Sequence, residues 1–290
     1  MRGLLQSVQW LPDNGCMDRS SSHASSSRRK APLTPVQAPS DEVTALARGL
    51  LLLRVLADAS GPLSNRALAD ATGIPKATIS RLTGTLTANG FLHQDVDSER
   101  FQLGAALLDL SNAYLRAFDM RAICRPHLIA LADQSHASVH LGVCDGLDIL
   151  VIDTVRPRSA VILTRTDIGT RMDIATSASG RAFFSALLPG ERKELLEDYR
   201  RSAPERWPAV RDMLLRAAAD VERCGYGSSF QEWHRDINAI GFTLKGPRGE
   251  LYAVSCGGPA STVSPQALTM DTAPAALATQ QAIGRACGSA

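Results

Sequence analysis

Residues 74–86 read IPKATISRLTGTL and follow the segment LSNRALADATG at residues 63–73. At the pitch of an α-helix, one face of the later segment is apolar and gathers Pro75, Ile79, Leu82 and Leu86. The opposite face has no carboxylate and carries Ala77, Ser80, Arg81 and Gly84, with Lys76 and Thr78 at its flanks. This pattern predicts a helix that buries one face and presents the other to a large anionic surface.

Helix and turn signals continue on both sides of this segment. Residues 43–59 predict a first helix with a wide apolar stripe at Leu46, Leu50, Leu53 and Leu56. Ser64 is a favourable N-cap for a second helix, which Gly73 ends, and Pro75 suits the first turn of the third. Residues 91–104, FLHQDVDSERFQLG, predict a hairpin. Three helices followed by a hairpin predict a winged helix-turn-helix domain.

In such a domain the last of the three helices lies in the DNA major groove and presents its N-terminal residues to base edges. Arg81 can donate two hydrogen bonds to guanine, Thr78 and Ser80 can bond to any base, and Ala77 can contact a thymine methyl group. The start of the preceding helix and the wing are expected to contact phosphates. The predicted DNA-binding residues are Ser64, Asn65, Arg66, Lys76, Ala77, Thr78, Ser80, Arg81 and Arg100. The alternative is a generic three-helix core with a polar outer face.

Composition limits the remaining possibilities. The chain has 290 residues, enough for two domains, with 44% apolar residues and a net charge of +2. Residues 43–104 contain six basic and five acidic residues, a local charge of +1. So weak a basic surface favours a homodimer that binds double-stranded DNA at two half-sites.

Several classes of protein are disfavoured. The six cysteines include no CxxC pair, which argues against a zinc ribbon or a disulfide scaffold and favours reduced thiols in the cytoplasm. No apolar run reaches the roughly 20 residues of a membrane span. No catalytic or cofactor motif occurs, so we expect no enzyme activity and no cofactor. His136 and His140 have a spacing that can bind metal, but no third ligand is evident, so we expect no metal site.

The rest of the chain falls into three predicted parts. Residues 1–41 are rich in Ser, Pro and Arg and predict a disordered tail, whose basic residues either touch phosphates or stay solvated. The winged helix-turn-helix domain occupies residues 42–104, and a linker helix occupies residues 105–119. Residues 120–290 alternate runs of strands with runs of helices and end in a helix at residues 265–286. This order predicts an α+β domain with an antiparallel sheet.

A series of sequence blocks in this order resembles the IclR family of bacterial transcriptional regulators. The first blocks are LARGLLLLRVLA, ALADATGIPKATISRLTGTLTANGFL and FQLG, and the later ones are RPHLIALADQS, VHLGVCDG, IGTRMDIATSASGRAFFSALLP, RCGYG and AVSCGGP. The resemblance covers the chain from about residue 43 to its C-terminus. It implies a winged helix-turn-helix, a linker helix and a GAF-like domain that binds a small effector. It also implies dimers formed through the DNA-binding domains and often paired into tetramers.

The resemblance also implies which residues form the effector pocket, by matching the blocks without gaps. They are Val161, Thr164, Ala178, Ser179, Gly180, Ser229, Ala239, Ser255 and Gly257. Ser229 stands where the family often has an acidic residue, and Ala239 where many members have a cysteine. An anion site remains plausible on physical grounds, because Ser179 is expected near a helix cap and Ser229, Ser255 and Thr164 can add hydroxyl donors. The alternative is that these serines only cap helices or pack in turns.

The leading hypothesis is therefore a DNA-binding transcriptional regulator whose operator affinity is modulated by a small metabolite, an organic or aromatic acid, bound in the C-terminal domain. Two alternatives remain open. The first is a DNA-binding regulator that has lost effector sensing. The second is a small-molecule enzyme with a fused helix-turn-helix domain.

Overall fold

The computed structural model describes residues 43–158 and 166–287, all of them within the unit Asp41–Ala290. The predicted disordered tail lies outside the described residues. So does the strand-like run predicted at residues 160–166, apart from its last residue, Thr166.

From residue 43 to residue 104, three helices and a two-stranded hairpin form the N-terminal region. The helices are α1 (Thr44–Asp58), α2 (Asn65–Thr72) and α3 (Lys76–Ala88), and the hairpin pairs β1 (Leu92–Gln94) with β2 (Phe101–Leu103). One apolar core joins them, made of Leu52, Leu56, Leu68, Ile74, Ile79, Leu92 and Phe101. The predicted winged helix-turn-helix fold is confirmed.

Local signals define the helix-turn-helix boundaries. Ser64 Oγ accepts a hydrogen bond from the Ala67 amide at 3.3 Å and so caps α2. Gly73 ends α2 with a φ of +69°, a backbone conformation that favours glycine. Pro75 is the residue that precedes α3, one position earlier than the predicted first turn.

The buried face of α1 differs from the predicted stripe. Its buried residues are Gly49, Leu52 and Leu56, whereas the side chains of Leu46 and Leu50 are 62% and 49% exposed. The expectation that Leu46 and Leu50 face the core was therefore wrong. Both sets recur every three or four residues, so periodicity alone could not choose between two apolar faces of the same helix.

Two helices follow the hairpin, α4 (Ala106–Arg116) and α5 (Met120–Ser135). No residue of α4 is buried, and its Leu108, Leu110 and Tyr114 side chains are exposed. Leu115 packs against the core of the C-terminal region, but the described residues of a single chain leave Leu108, Leu110 and Tyr114 largely uncovered.

Among the described residues of the C-terminal region, six antiparallel strands form a sheet in the order β5-β4-β3-β8-β7-β6. The strands are β3 (Ser138–Asp145), β4 (Asp148–Val155), β5 (Arg171–Asp173), β6 (Gly227–Phe230), β7 (Ile237–Lys245) and β8 (Leu251–Pro259). The α+β fold class is confirmed. The sequence pattern does not predict β5, which has only three residues, or β6, whose GSSF sequence lacks an apolar alternation.

Helices cover both faces of this sheet. One face packs against α6, α7 and α8, and the other packs against α5 and a C-terminal helical segment. The bounds are Ala178–Ala186 for α6, Pro189–Ser202 for α7 and Trp207–Cys224 for α8. The C-terminal segment consists of α9 (Pro265–Ala267), a π-helical turn (Leu268–Thr272) and α10 (Ala273–Ala286), where the sequence predicts one helix.

The N-terminus of α6 lies directly on the sheet. A Cβ atom added to Gly241 would lie 2.5 Å from the Ser179 nitrogen, and one added to Gly227 would lie 2.5 Å from the Ala178 carbonyl oxygen. Both distances are far below van der Waals contact. Only glycine at these two strand positions admits the helix this closely.

Tyr199 of α7 fixes the segment that leads into α6. Its hydroxyl accepts a hydrogen bond from the Ala175 amide and donates one to the Leu147 carbonyl oxygen, both at 3.1 Å. Burial raises the pKa of Tyr199, so its hydroxyl stays protonated. The start of α6 is therefore held from both sides, by the sheet and by α7.

Candidate nucleic-acid interface and ligand pocket

The outer face of α3 is open to solvent along its whole length. Ile79 and Thr83 are buried against the core, while five outward-facing residues are exposed, namely Lys76, Ala77, Ser80, Arg81 and Gly84. Thr78 is half-buried at the edge of this face. The structure thus gathers the residues predicted to contact bases on one accessible surface with no carboxylate on it.

A hydrogen bond joins α3 to the start of α2. The Thr83 hydroxyl lies 3.2 Å from Asn65 Oδ1 and 3.0 Å from the Ile79 carbonyl oxygen, and it donates to these acceptors. Asn65 Oδ1 and Ser64 Oγ therefore already accept hydrogen bonds within the domain. Of the predicted phosphate-contacting groups at this helix end, the side-chain amide of Asn65 remains available as a donor.

Two predicted arginines extend the cationic surface. Arg66 is exposed, with its Nε atom 3.9 Å from Asp70. Arg100, at the base of the wing, donates a hydrogen bond to the Pro62 carbonyl oxygen at 3.3 Å and is also exposed.

In the wing turn, Asp95 accepts hydrogen bonds from the Ser98 hydroxyl and amide, which lower the pKa of Asp95 and hold the turn.

A cavity lies between the sheet and the N-terminus of α6. Six of the nine predicted effector residues line it: Ala178, Ser179, Ser229, Ala239, Ser255 and Gly257. Gly180 does not line the cavity, because a Cβ atom there would lie 2.3 Å from Ile174 Cα, so it serves close packing instead. Val161 and Thr164 lie outside the described residues. Sequence reasoning missed other lining residues, above all His140, Met172, Ser177 and Trp233.

The cavity floor includes Ser255 and His140, which belong to a row of residues paired across the sheet. Gly241 pairs with Ser255, Ser255 pairs with His140, and His140 pairs with Thr154. Side chains at paired positions point to the same face of a sheet. Beside this row, Ser229 pairs with Ala239, and Ala239 pairs with Gly257. The floor is therefore made of small and hydroxyl-bearing side chains, with one imidazole.

The end of α6 that faces the cavity offers unpaired donors. Ser177, rather than the predicted Ser179, caps the helix, because its Oγ accepts from the Gly180 amide at 3.1 Å. Ser179 is fully buried, and its Oγ atom has no hydrogen-bond partner among the described residues. The Ala178 and Ser179 amides belong to the first turn, which no helical carbonyl can satisfy. Such a helix end attracts anions.

One wall of the cavity is a bend that connects β6 to β7 and contains Trp233. The Trp233 amide donates to Ser229 Oγ at 3.2 Å. The neighbouring Glu232 accepts two hydrogen bonds from the guanidinium of Arg181, at 2.7 and 2.5 Å, which lowers the pKa of Glu232. Because Arg181 is on α6, this ion pair ties the Trp233 wall to the same helix that presents the free amides.

The cavity is small and its described walls carry no charged side chain. Its volume is about 30 Å³, room for roughly two water molecules when one needs 10–15 Å³. A larger ligand must therefore displace part of the wall as it enters. An anion here would be stabilised by amides and hydroxyl groups rather than by a cation.

Among the described residues that line the cavity, His140 is the one titratable group. Its Nδ1 atom lies 3.2 Å from Thr154 Oγ1. Burial, and to a lesser extent the positive charge of Arg156, lowers the pKa of His140 to about 4. The negative charge of Asp167 acts in the opposite direction and raises this pKa. The imidazole is therefore neutral near pH 7.

The two histidines whose spacing could bind a metal lie in different elements. His136 ends α5 with a positive φ of 52°, whereas His140 lies inside β3. Within residues 43–158 and 166–287, no group of three or more His, Cys, Asp or Glu side chains could hold a metal ion. No helix in these ranges is both long and apolar enough to cross a membrane.

Family models match both parts of the chain. The model described as "IclR helix-turn-helix domain" matches residues 45–96. The model described as "Bacterial transcriptional regulator IclR C-terminal" matches residues 112–285, more than half of the chain. The chain belongs to the IclR family of bacterial transcriptional regulators.

Individual IclR-family proteins agree with this assignment. The HTH-type transcriptional regulator TsaQ1/TsaQ2 of Comamonas testosteroni is 31% identical over 236 residues, which cover 80% of this chain and 84% of that protein. The crystal structure of an IclR-family transcriptional regulator from Brucella abortus has a TM-score of 0.73 and 36% identity, covering 87% of this chain and 97% of the other. An IclR homologue from Microbacterium hydrocarbonoxydans, solved with 4-hydroxybenzoate, shares the fold at 19% identity, with a TM-score of 0.60 and coverage of 82% and 99%.

Membership of the IclR family fixes the general role. The chain is a DNA-binding transcriptional regulator with a C-terminal effector domain. The cavity beside α6 lies in the part that matches the C-terminal family model, and the exposed face of α3 lies in the part that matches the helix-turn-helix model.

The exposed glycine of α3 gives a test of close DNA approach. A Cβ atom at Gly84 would meet no described atom within 4 Å, so Gly84→Ala should raise the free energy of unfolding by about 0.5–1 kcal/mol through helix propensity. If the DNA backbone approaches this position, the same variant should bind operator DNA more weakly although it is more stable. Urea denaturation and operator titration measure the two effects. A gain in stability with unchanged operator affinity would contradict close DNA approach at Gly84.

The half-buried imidazole of His140 predicts a pH dependence of stability. Its pKa is lower in the folded chain than the ordinary value of 6.5, so its stabilising effect is fully present above about pH 6.5 and is lost as the pH falls towards 4. Between pH 7 and 5 the free energy of unfolding should decrease by about 2 kcal/mol more in the wild type than in His140→Phe. Urea denaturation at both pH values measures this difference. Equal pH dependence in the two proteins would show that His140 is not buried as a neutral group.

Proposed function

We propose that this regulator reads its operator with the exposed face of α3 and is controlled by a carboxylic acid bound beside the N-terminus of α6. The buried Ser179 hydroxyl is the observation that supports the acid site most strongly. A buried hydroxyl without a partner costs about 1–3 kcal/mol, and a ligand that accepts its hydrogen bond removes this cost.

The DNA-binding proposal rests on the accessible groups of α3. Arg81 has the geometry to bond to the O6 and N7 atoms of guanine, and Lys76, Thr78, Ser80 and Ala77 supply further base or phosphate contacts. We assign residues 42–104 to this domain, residues 105–119 to a linker helix and residues 120–290 to the effector domain. The assigned phosphate contacts come from the start of α2 and from Arg100 in the wing.

We further propose that the active form is a homodimer, or a homotetramer of paired dimers. In the single chain, α1 exposes Leu46, Leu50 and Leu51, and α4 exposes Leu108, Leu110 and Tyr114. Exposed large apolar side chains grouped on one helix are typical of an interface between subunits. Two copies would present two α3 helices to successive half-sites, which compensates for the low charge of each domain.

An anionic effector fits the chemistry of the cavity. The amides of Ala178 and Ser179, the Ser179 hydroxyl and the Ser255 hydroxyl all can donate to a carboxylate. No acidic side chain is among the described lining residues, so nothing in them repels an anion. The hydroxyl of Ser229 and the methyl of Ala239 replace the acid and the thiol common in the family, which favours a different ligand from those read by such groups.

The operator test uses the full chain and DNA from the region upstream of its own coding sequence. Arg81→Ala should lose about 1–3 kcal/mol of discrimination between operator and unrelated DNA. The slope of the logarithm of its DNA affinity against the logarithm of salt concentration should also be about one unit shallower. Arg201→Ala is the matched control, because that arginine is exposed and lies on α7, far along the chain from the helix-turn-helix. If Arg81→Ala and Arg201→Ala behave alike on every fragment that the wild type binds specifically, α3 does not read bases.

In the second part of the experiment, carboxylic acids are added to the complex of the protein with its operator. An acid that binds the cavity must prefer one state of the protein to change operator affinity. The Ser179→Ala variant should bind operator normally without acid but require a higher acid concentration for the same effect. A regulator that binds its operator and ignores every acid at saturation would instead be one that has lost effector sensing.

A further inference from the structure

His140 stands at the opposite end of the cavity floor from α6 and has no part in the anion site described above. We propose that His140 selects effectors that carry a hydroxyl group at the end remote from the carboxylate. The inference rests on the proposed acid site, because it takes the carboxylate position on α6 as one end of the ligand.

The cross-sheet pairing sets the length of such a ligand. The Ser179 nitrogen lies above Gly241, as the 2.5 Å distance to an added Cβ atom shows. Gly241 pairs with Ser255 and Ser255 pairs with His140, so His140 lies two strands away. Neighbouring strands are about 4.8 Å apart, which puts the two ends of the row about 10 Å apart. A carboxylate on the α6 amides therefore directs the rest of its molecule over Ser255 towards the imidazole.

The neutral form of the His140 imidazole determines which ligand group it can pair with. A neutral imidazole has one donor and one acceptor nitrogen, and Thr154 Oγ1 occupies Nδ1 at 3.2 Å. That contact leaves Nε2 for the ligand, as a donor in one tautomer and an acceptor in the other. A hydroxyl group both donates and accepts hydrogen bonds, so it complements either tautomer. A hydrogen atom or methyl group in the same place would cover Nε2 without giving it a hydrogen-bond partner.

The charged groups near His140 favour a neutral ligand group over a second carboxylate. Burial and Arg156 lower the pKa of His140 to about 4. The Arg156 guanidinium is itself paired with the Asp167 carboxylate at 2.5 Å, so it offers little net charge to the ligand. A second carboxylate would need His140 to take up a proton, against this low pKa, before it gained a charged donor. The floor thus combines an anion-binding end with an end that favours a neutral polar group.

The experiment compares acids that differ only in a hydroxyl group. Isothermal titration calorimetry measures the affinity of the full chain for benzoate, 3-hydroxybenzoate and 4-hydroxybenzoate, and for butyrate and 4-hydroxybutyrate. In the wild type, at least one hydroxylated acid should bind about 5–10-fold more tightly than its parent, the range expected for one hydrogen bond in a buried site. In His140→Phe, which keeps a ring of similar size, this ratio should fall to about 1 while the parent acid keeps its affinity.

Two further variants make the comparison decisive. Ser138→Ala is the matched control, since Ser138 lies on the same face of β3 two residues away and does not line the cavity. It should keep the wild-type ratio. Thr154→Val removes the partner of Nδ1 and should lower the ratio without abolishing it. If thermal melting shows that His140→Phe does not fold, Thr154→Val decides, and an unchanged ratio there overturns the proposal.

The outcomes separate this inference from the proposed function. Parent and hydroxylated acids that bind the wild type equally, or a ratio that survives in folded His140→Phe, overturn the role of His140 and leave the acid site intact. Absence of binding by every acid of both series overturns the inference and speaks against an acid effector, while operator recognition by α3 still stands on its own test.

Discussion

The contact between the N-terminus of α6 and the sheet is the constraint on which the effector domain depends. It exists because Gly227 and Gly241 have no side chain where the helix backbone crosses, with added Cβ atoms only 2.5 Å from backbone atoms of α6. The contact brings the first amides of the helix and the Ser179 hydroxyl to the cavity floor. A methyl group at either glycine would push the helix away and enlarge or misplace the anion site.

Other interactions turn this contact into a defined pocket. Tyr199 holds the segment that enters α6 by hydrogen bonds to Ala175 and Leu147. Arg181, one turn into the helix, binds the Glu232 carboxylate and the Ser228 carbonyl oxygen and so ties β6 and the Trp233 wall to α6. A ligand that displaces this wall therefore also acts on α6 and its partners. This coupling gives a physical route by which binding in a small cavity can change the preferred state of the domain.

The sequence predicted some parts of the molecule well because their causes are local. Helix periodicity, the Ser64 cap and Gly73 define the helix-turn-helix. The resemblance of the sequence blocks to the IclR family predicted that Ser229, Ala239, Ser255 and Gly257 lie around one cavity. The register of β3 against β8, which sets His140 beside Ser255, comes from pairing between strands more than 100 residues apart and leaves no local signal. The choice of Ser177 over Ser179 as the cap of α6 was also missed, since either serine is a suitable N-cap residue and only the position of the first helical turn decides.

The proposed control by an effector depends on a carboxylic acid that binds the first amides of α6. A crystal structure of the full chain with 4-hydroxybenzoate would reveal where the carboxylate lies. The account predicts carboxylate oxygens at about 2.7–3.2 Å from the Ala178 and Ser179 amides, with the Ser179 hydroxyl turned towards them. A carboxylate bound elsewhere in the domain, with both amides and the Ser179 hydroxyl still unpaired, would contradict the account.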